Sequence, residues 1–333
     1  MPRVLLLAPG HDDFLTDSLF HGLRSLLGER AVDYPRIDHL YRGHRPLGDL
    51  HGRGFTLAGL LDDVPVDRNR LLDRAENGEF DAVVFSDIWR NFGAWVEWAP
   101  RLEGRVRLAV LDGADRVEPY PYSGLWWRVR HWWLVPRAHR RATYFKREIT
   151  PWMYWFGSYL ALPPRVARAL GVLRGVRPIS FSIPEQRVVG EPPPKDRLLA
   201  THVVDPEVAA RLGGQGSYAF EDAESYYGDL RRSRFGVTVK RAGWDALRHY
   251  EIAASGTVPC FRRLEDKPGR AAPFGLRDGV NCVSYRDADD LATKLAGIDE
   301  RRYASLQGGA LDWARANTTR VRAEWFLREL GLA

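Results

Sequence analysis

Lys240, Arg241 and Glu251 are the residues from which a chemistry can be read most directly. The two cations close a short, β-branched apolar run, FGVTV (235–239), of the kind that makes a buried parallel strand. Asp245 then stands where a helix cap is expected, with the helix running to Ala254 or Ser255. Gly256 ends it, and Thr257 to Phe261 supplies a second strand, in which Pro259 marks an edge or a bulge. Two cations converging on a helix N-terminus favour an anion, a phosphate above all. Within the helix, Ala246, Leu247, Tyr250, Ala253 and Ala254 form the apolar stripe, while Arg248, Glu251 and Ser255 share a polar face. A surface Arg248–Glu251 pair, worth about 0.2–0.5 kcal/mol, is the plain reading of that face. A carboxylate two turns into a helix that starts at a phosphate site can instead accept both hydroxyls of a ribose.

The same residues carry a resemblance. HYEIAASGTVPCF (249–261) resembles the donor-binding helix and strand of GT-B-type glycosyltransferases, in which a Glu before a small-Gly-x-Pro turn holds the nucleotide ribose. The lead-in RSRFGVTVKRAGWDALRHYE resembles, more narrowly, the CgeB-like and exostosin-like branch. FGLRDGVNCVSYRDADDLATKL (274–295) is similar to the next strand and helix of that domain, so the likeness spans about Asp196 to Trp325. It implies a donor site of Lys240, Arg241, Trp244, Arg248, Glu251, Gly256 and Thr257. Glu251 would hold the ribose, and the cations would offset the charge of the departing diphosphate. The Gly256–Thr257 turn would offer backbone N–H groups, and Trp244 would stack on sugar or base unless it is a core residue. The nucleotide sugar enters as substrate, with no metal and no cofactor required. Many retaining members carry a second Glu eight residues before the ribose Glu; here that position is Gly243, which leaves the stereochemistry of transfer open.

Composition limits the alternatives. A chain of 333 residues makes about two domains, and 45% apolar with 28% charged residues is an ordinary globular balance. Of 49 basic residues only five are lysine, a bias that fits a GC-rich genome better than nucleic-acid binding. The net charge of +6 suits anionic ligands or a membrane surface. Cys260 and Cys282 both fall in apolar strands, which points to reduced thiols and a cytoplasmic protein, with peripheral contact to the inner membrane face as an option. No run approaches the roughly 20 apolar residues of a membrane span. Neither a dinucleotide fingerprint nor a Walker A motif is present.

The elements that must position these residues alternate along the chain. Strands are expected at Arg3–Ala8, from Ala31, through FDAVVFSD to Asp87, at Val106–Leu111 and at Ala142–Arg147, the last strand of the first domain. Helices are expected between them, at Thr16–Leu27, Asp67–Glu76 and Phe92–Leu102, so the sheet should be parallel and doubly wound. Its strand ends bring His11, Asp12, Asp13, Asp87 and Asp112 to one rim, where such sheets bind ligands. His11 and Asp13 are the expected catalytic pair: an imidazole that takes the acceptor's proton and a carboxylate that orients it. Asp13 as a helix cap and His11 as a turn residue is the local alternative. Residues 41–66 lack periodicity and receive no role. Residues 120–160 hold six of the twelve tryptophans interleaved with arginines, which suits a packed subdomain, a membrane-touching patch or a stacking surface for sugars or bases, in that order.

The expected fold is α/β, two Rossmann-like domains facing across a cleft (GT-B): residues 1–175 for a small-molecule or glycan acceptor and 176–333 for the nucleotide sugar. One long helix through Leu311, Thr318 and Trp325 would cross back to the first domain. Two rivals remain at this level. LLLAPGHDD loosely resembles the turn of metal-dependent sugar N-deacetylases, without its Pro and following acid, and a non-catalytic nucleotide-sugar-binding protein fits the same pattern.

Overall fold

A computed structural model describes residues 1–43, 55–120, 138–153, 163–171, 173–216 and 220–333. Its first sheet has six strands, β1 (Val4–Leu7), β2 (Ala31–Tyr34), β3 (Ala82–Phe85), β4 (Arg107–Asp112), β5 (Thr143–Lys146) and β6 (Val176–Pro178), in the order 2-1-3-4-5-6. The second has four, β7 (Arg197–Leu199), β8 (Ser233–Thr238), β9 (Val258–Arg262) and β10 (Val283–Tyr285), in the order 10-9-8-7. Every neighbouring pair is parallel. Strands such as VLLL and AVVF are buried at every position because helices cover both faces of the sheet.

Alternation along β1 divides the first domain's core. Val4 and Leu6 join Leu19, Phe20 and Leu23 of α1 (Phe14–Leu27) on one face, whereas Leu5 and Leu7 meet Phe85, Trp95 and Leu102 on the other. Trp95 and Leu102 belong to α3 (Phe92–Leu102), which follows α2 (Leu71–Glu76) and β3. Two short helices, α4 (Ala138–Arg141) and α5 (Pro164–Ala169), flank β5. The second domain adds α6 (Pro206–Leu212), α7 (Ala223–Arg232), α8 (Leu247–Ala254) and α9 (Ala288–Ala296), and the chain finishes with α10 (Glu300–Ala316) and α11 (Thr319–Glu329). Among the described residues, no helix is long and apolar enough to cross a membrane.

Two expectations are corrected here. Val176–Pro178 pairs with β5, so the first sheet continues past the 175/176 boundary and β5 is not its last strand. The single long terminal helix is two, broken at Asn317–Thr318. The cause lies in the connector: Ile183 N–H donates to Asn317 O (3.1 Å) and Thr319 N–H donates to Ile183 O (2.8 Å), drawing both groups out of a helical ladder. The Thr318 side chain then caps α11. As expected, the last helix returns to the first domain, where Ala323 and Phe326 join the α1 side of the core. Gly22 makes that approach close, since an added Cβ would overlap Thr319 O and lie 2.9 Å from Ala323 Cβ. His21 meets Thr319 Oγ1 at 2.9 Å, and burial pushes its imidazole down to about 4, so it stays neutral there.

Gly22→Ala should therefore destabilise the α1–α11 contact by roughly 1–3 kcal/mol and lower the thermal midpoint in calorimetry. Gly228→Ala, in α7 with open space around it, is the matched control and should raise the midpoint slightly.

Candidate functional site

A groove runs between the two domains and has two lobes. Asp12, Phe14, Arg241, Ala246 and Leu247 line both and form the waist between them. The first lobe, about 350 Å³, lies between Glu251, Arg248 and Tyr226 of the second domain and Asp17, His39 and Phe55–Ala58 of the first. The second, about 660 Å³, is walled by Asp13, Asp87, Trp89, Arg90, Asp115 and Arg147.

At the waist stands the start of α8. Its cap position is Ala246, and no side chain caps it. The first N–H groups of a helix have no partner within it, so this end presents donors and a positive dipole end. Asp245, the expected cap, is turned away: it is 4% exposed and accepts from Phe181 N–H (2.8 Å) and Tyr250 OH (2.9 Å). Arg241 is exposed at the waist, in a turn closed by its own N–H to Gly243 O at 3.0 Å. Beside it, Glu148 of the first domain accepts from Trp244 N–H at 2.8 Å, and an added Cβ on Gly243 would fall 2.6 Å from the same carboxylate.

The structure separates the expected donor residues. Glu251 is 9% exposed; it accepts from Tyr226 OH at 2.5 Å and from the Thr56 hydroxyl. Burial and the Glu251 charge hold the Tyr226 phenol well above its ordinary range. Arg248 lines the first lobe, but its guanidinium donates to Val237 O (3.0 Å), Tyr226 OH (3.3 Å) and His202 O, so it braces the wall. Lys240 and Trp244 line neither lobe: the ammonium sits 5.7 Å from the Trp244 ring centre, and that ring packs edge-on against Phe261.

Gly256 and Thr257 are corrected outright. They lie past the far end of α8, about 12 Å along its axis. Gly256 N–H donates to Ala253 O and Thr257 N–H to Ile252 O. The positive φ of Gly256 (64°) and its contact with Pro192 explain the glycine.

Thr56 was not legible beforehand, because it sits in the stretch without periodicity. Arg187 fixes it by donating to Phe55 O (2.6 Å) and Thr56 O (3.3 Å), and Tyr227 OH donates to its hydroxyl at 3.2 Å. Most of the tryptophan-rich stretch lies outside the described residues.

His11 lines neither lobe itself but meets Asp87 and Arg90 of the second lobe's wall, and its partner is Asp87, not Asp13. Asp13 is the cap of α1, accepting from Thr16 N–H (2.9 Å) and Thr16 OH (2.5 Å). His11 Nδ1 lies 3.1 Å from Pro9 O, and Nε2 lies 3.1 Å from Asp87 Oδ2 and 2.7 Å from Arg90 Nη1. Arg90 needs a lone pair on that nitrogen and ionised Asp87 needs a proton there, so the two contacts call for different protonation states of Nε2. Burial and nearby Asp13 push the Asp87 carboxyl up, and its backbone is held at φ 39°. Asp112, the other acid of the rim, is fully buried and accepts from Tyr144 OH (2.6 Å), Lys146 (3.1 Å) and Trp89 Nε1 (3.1 Å), which makes it structural. Among the described residues, no three His, Cys, Asp or Glu side chains gather as a metal would require.

No known family matches the sequence, and no curated protein matches it. Solved structures do match along its whole length. Anabaena HepE in complex with UDP-glucose superposes with a TM-score of 0.54 at 10% identity, over 100% of both chains. The fold is GT-B. A glycosyltransferase from Rickettsia africae shares it (TM-score 0.53, 8% identity, 99% of this chain and 97% of that one). So does the catalytic domain of Arabidopsis thaliana starch synthase IV bound to ADP and acarbose (0.51, 10%, 99% of each). Within this GT-B frame the groove lies between the domains, at the C-terminal edges of their parallel strands.

The first-domain wall of the GT-B groove holds one more pair. Asp17 accepts from His39 Nε2 at 2.8 Å, both being buried, and burial raises the Asp17 carboxyl to about 6. A carboxyl raised in the folded state keeps its proton longer there than in the unfolded chain, so its contribution is full below about pH 4 and is lost as pH rises through 6. Asp17→Asn should flatten the stability profile between pH 4 and 6. Above pH 6 it should stabilise the protein by roughly 1–3 kcal/mol, read from urea unfolding at each pH.

Proposed function

We propose that this chain is a glycosyltransferase that moves a sugar from a nucleotide-sugar donor to a hydroxyl of a small-molecule or glycan acceptor. One observation carries the reading: a single groove of a GT-B fold has an uncapped helix start and Arg241 at its waist, with Glu251 in one lobe and Asp87, which holds His11 at 3.1 Å, in the other. The nucleoside occupies the Glu251 lobe, where the carboxylate exchanges Thr56 OH for ribose hydroxyls. The diphosphate meets Arg241 and the α8 N-terminus, whose donors strengthen their hold as negative charge grows on the leaving oxygen. In the other lobe the acceptor oxygen attacks the anomeric carbon as the bond to the diphosphate breaks, and its proton passes to the His11–Asp87 pair. Asp87 takes the orienting place that the sequence suggested for Asp13.

The RSRFGVTVKRAGWDALRHYE lead-in supports a position near the CgeB-like and exostosin-like branch. The whole-length likeness to GT-B structures favours transfer over the deacetylase alternative. No metal or cofactor enters the proposal, so turnover should survive EDTA, and loss with chelator followed by recovery with zinc would reinstate the deacetylase.

Transfer of label from nucleotide sugars to product or water is the direct measurement. Glu251→Ala should weaken nucleotide binding at least tenfold in calorimetric titration without lowering the thermal midpoint of the free protein by more than a few degrees. His11→Ala and Asp87→Asn should each lower turnover at least tenfold, about 1.4 kcal/mol in barrier, with donor affinity nearly unchanged. Wild-type nucleotide affinity in Glu251→Ala would remove the donor site from this groove, and normal turnover in both rim variants would remove the base.

A further inference from the structure

A further cavity, of about 380 Å³, lies between residues 149–151, α5 and residues 268–270 and shares no lining residue with the groove. Arg165, Arg168 and Arg270 line it. Arg165 and Arg168 are exposed and make no ion pair among the described residues. The Thr150 hydroxyl in its wall is buried and has no hydrogen-bond partner among the described residues. Arg270 donates to Val176 O (3.3 Å), while the guanidinium groups of Arg165 and Arg168 and the Thr150 hydroxyl donor around the same concavity fit an oxyanion such as a phosphate.

The surroundings decide which phosphate. Val166 of α5 lies one turn before Leu170, which ends the helix; these two side chains are 45% and 68% exposed, while Ala167 packs inward at 0%. Trp152, beside the cavity in sequence, is 61% exposed. The helix thus points its larger apolar residues outward, next to its cations. A free phosphate or a nucleic-acid backbone would make no use of them. A bilayer surface uses both, since Trp and Leu enter the interfacial layer while arginines meet the headgroups.

We propose that this face docks on an anionic phospholipid surface, with a lipid phosphate held by Arg165, Arg168, Arg270 and Thr150 and with Trp152, Val166 and Leu170 entering the interface. The proposal does not depend on the donor site, and none of these residues lines the groove. Docking here would hold the enzyme at the lipid–water boundary.

The test is cosedimentation of the full chain with vesicles of phosphatidylcholine alone or with about one-third phosphatidylglycerol, at low and high salt. Binding is expected only with phosphatidylglycerol at low salt. Arg165→Gln with Arg168→Gln should weaken it at least tenfold, and Trp152→Ser with Leu170→Ser should weaken it in a separate variant, each with an unchanged thermal midpoint. Millimolar inorganic phosphate serves as the competing arm. No binding to anionic vesicles, or binding indifferent to both variants, overturns the proposal. So does a melting shift with phosphate that both arginines are needed for while vesicles go unbound, which would mark a free-phosphate site. Binding of a single-stranded oligonucleotide through the same arginines, without vesicle binding, overturns it as well.

Discussion

The buried carboxylate of Asp245 is the interaction on which the arrangement of the two domains rests. Removing a carboxylate from water costs several kcal/mol unless its surroundings replace the lost hydrogen bonds. Here Phe181 of the connector and Tyr250 of α8 donate to its two oxygens. Arg147, 3% exposed, donates to its backbone oxygen and to Gly113 O of the first domain. Burial pushes the Asp245 carboxyl up and the Arg147 charge pulls it down. Three chain segments thus converge on one residue. A side chain committed to this junction cannot also cap the helix that follows, so the helix start is left open at the waist of the groove.

Much of the architecture could be read from the chain. Continuous apolar runs with β-branched residues identify strands covered on both faces, and the alternation with amphipathic helices implies parallel sheets. The placement of His11, Asp87 and Arg241 near a common groove follows from that topology alone. Partnerships did not follow. An Asp just ahead of a helix usually caps it, and Asp13 does; Asp245 stands one residue before the Ala246 cap position and answers to Phe181, sixty-four residues away in sequence. Gly256 and Thr257 follow Glu251 closely in sequence, yet one helix length separates them from the uncapped start of α8. Helix α11 continued the apolar spacing of α10 so well that only the connector's hydrogen bonds reveal the break.

Glu251 shows how local pattern and tertiary environment differ. Spacing places it on a polar helix face, and polar faces usually meet water. In the fold this one meets Tyr226 and Thr56, so both carboxylate oxygens have donors without solvent. A buried carboxylate satisfied only by hydroxyl groups is a site at which other hydroxyls can be exchanged at little net cost, since each broken bond is replaced by one of the same kind. Because Thr56 comes from the first domain, its bond to Glu251 also reaches across the groove.

The crossing at Ile183 constrains how that groove can change shape. The chain passes between the domains twice, once in the connector and once between α10 and α11, and Ile183 bonds to Asn317 and Thr319 on either side of Thr318. Two strands of backbone laced together at one point resist sliding there, so rotation about that point would be resisted only by the side-chain ties at the groove, such as Arg147 to Asp245 O and Trp244 N–H to Glu148. The molecule is therefore built like a pair of tongs, with its rivet beside α1 and α11. A turn of a few degrees at the rivet moves nearby atoms little and the far rims most, so opening and closing would be felt at the mouth of the groove long before it disturbed the packing at Gly22.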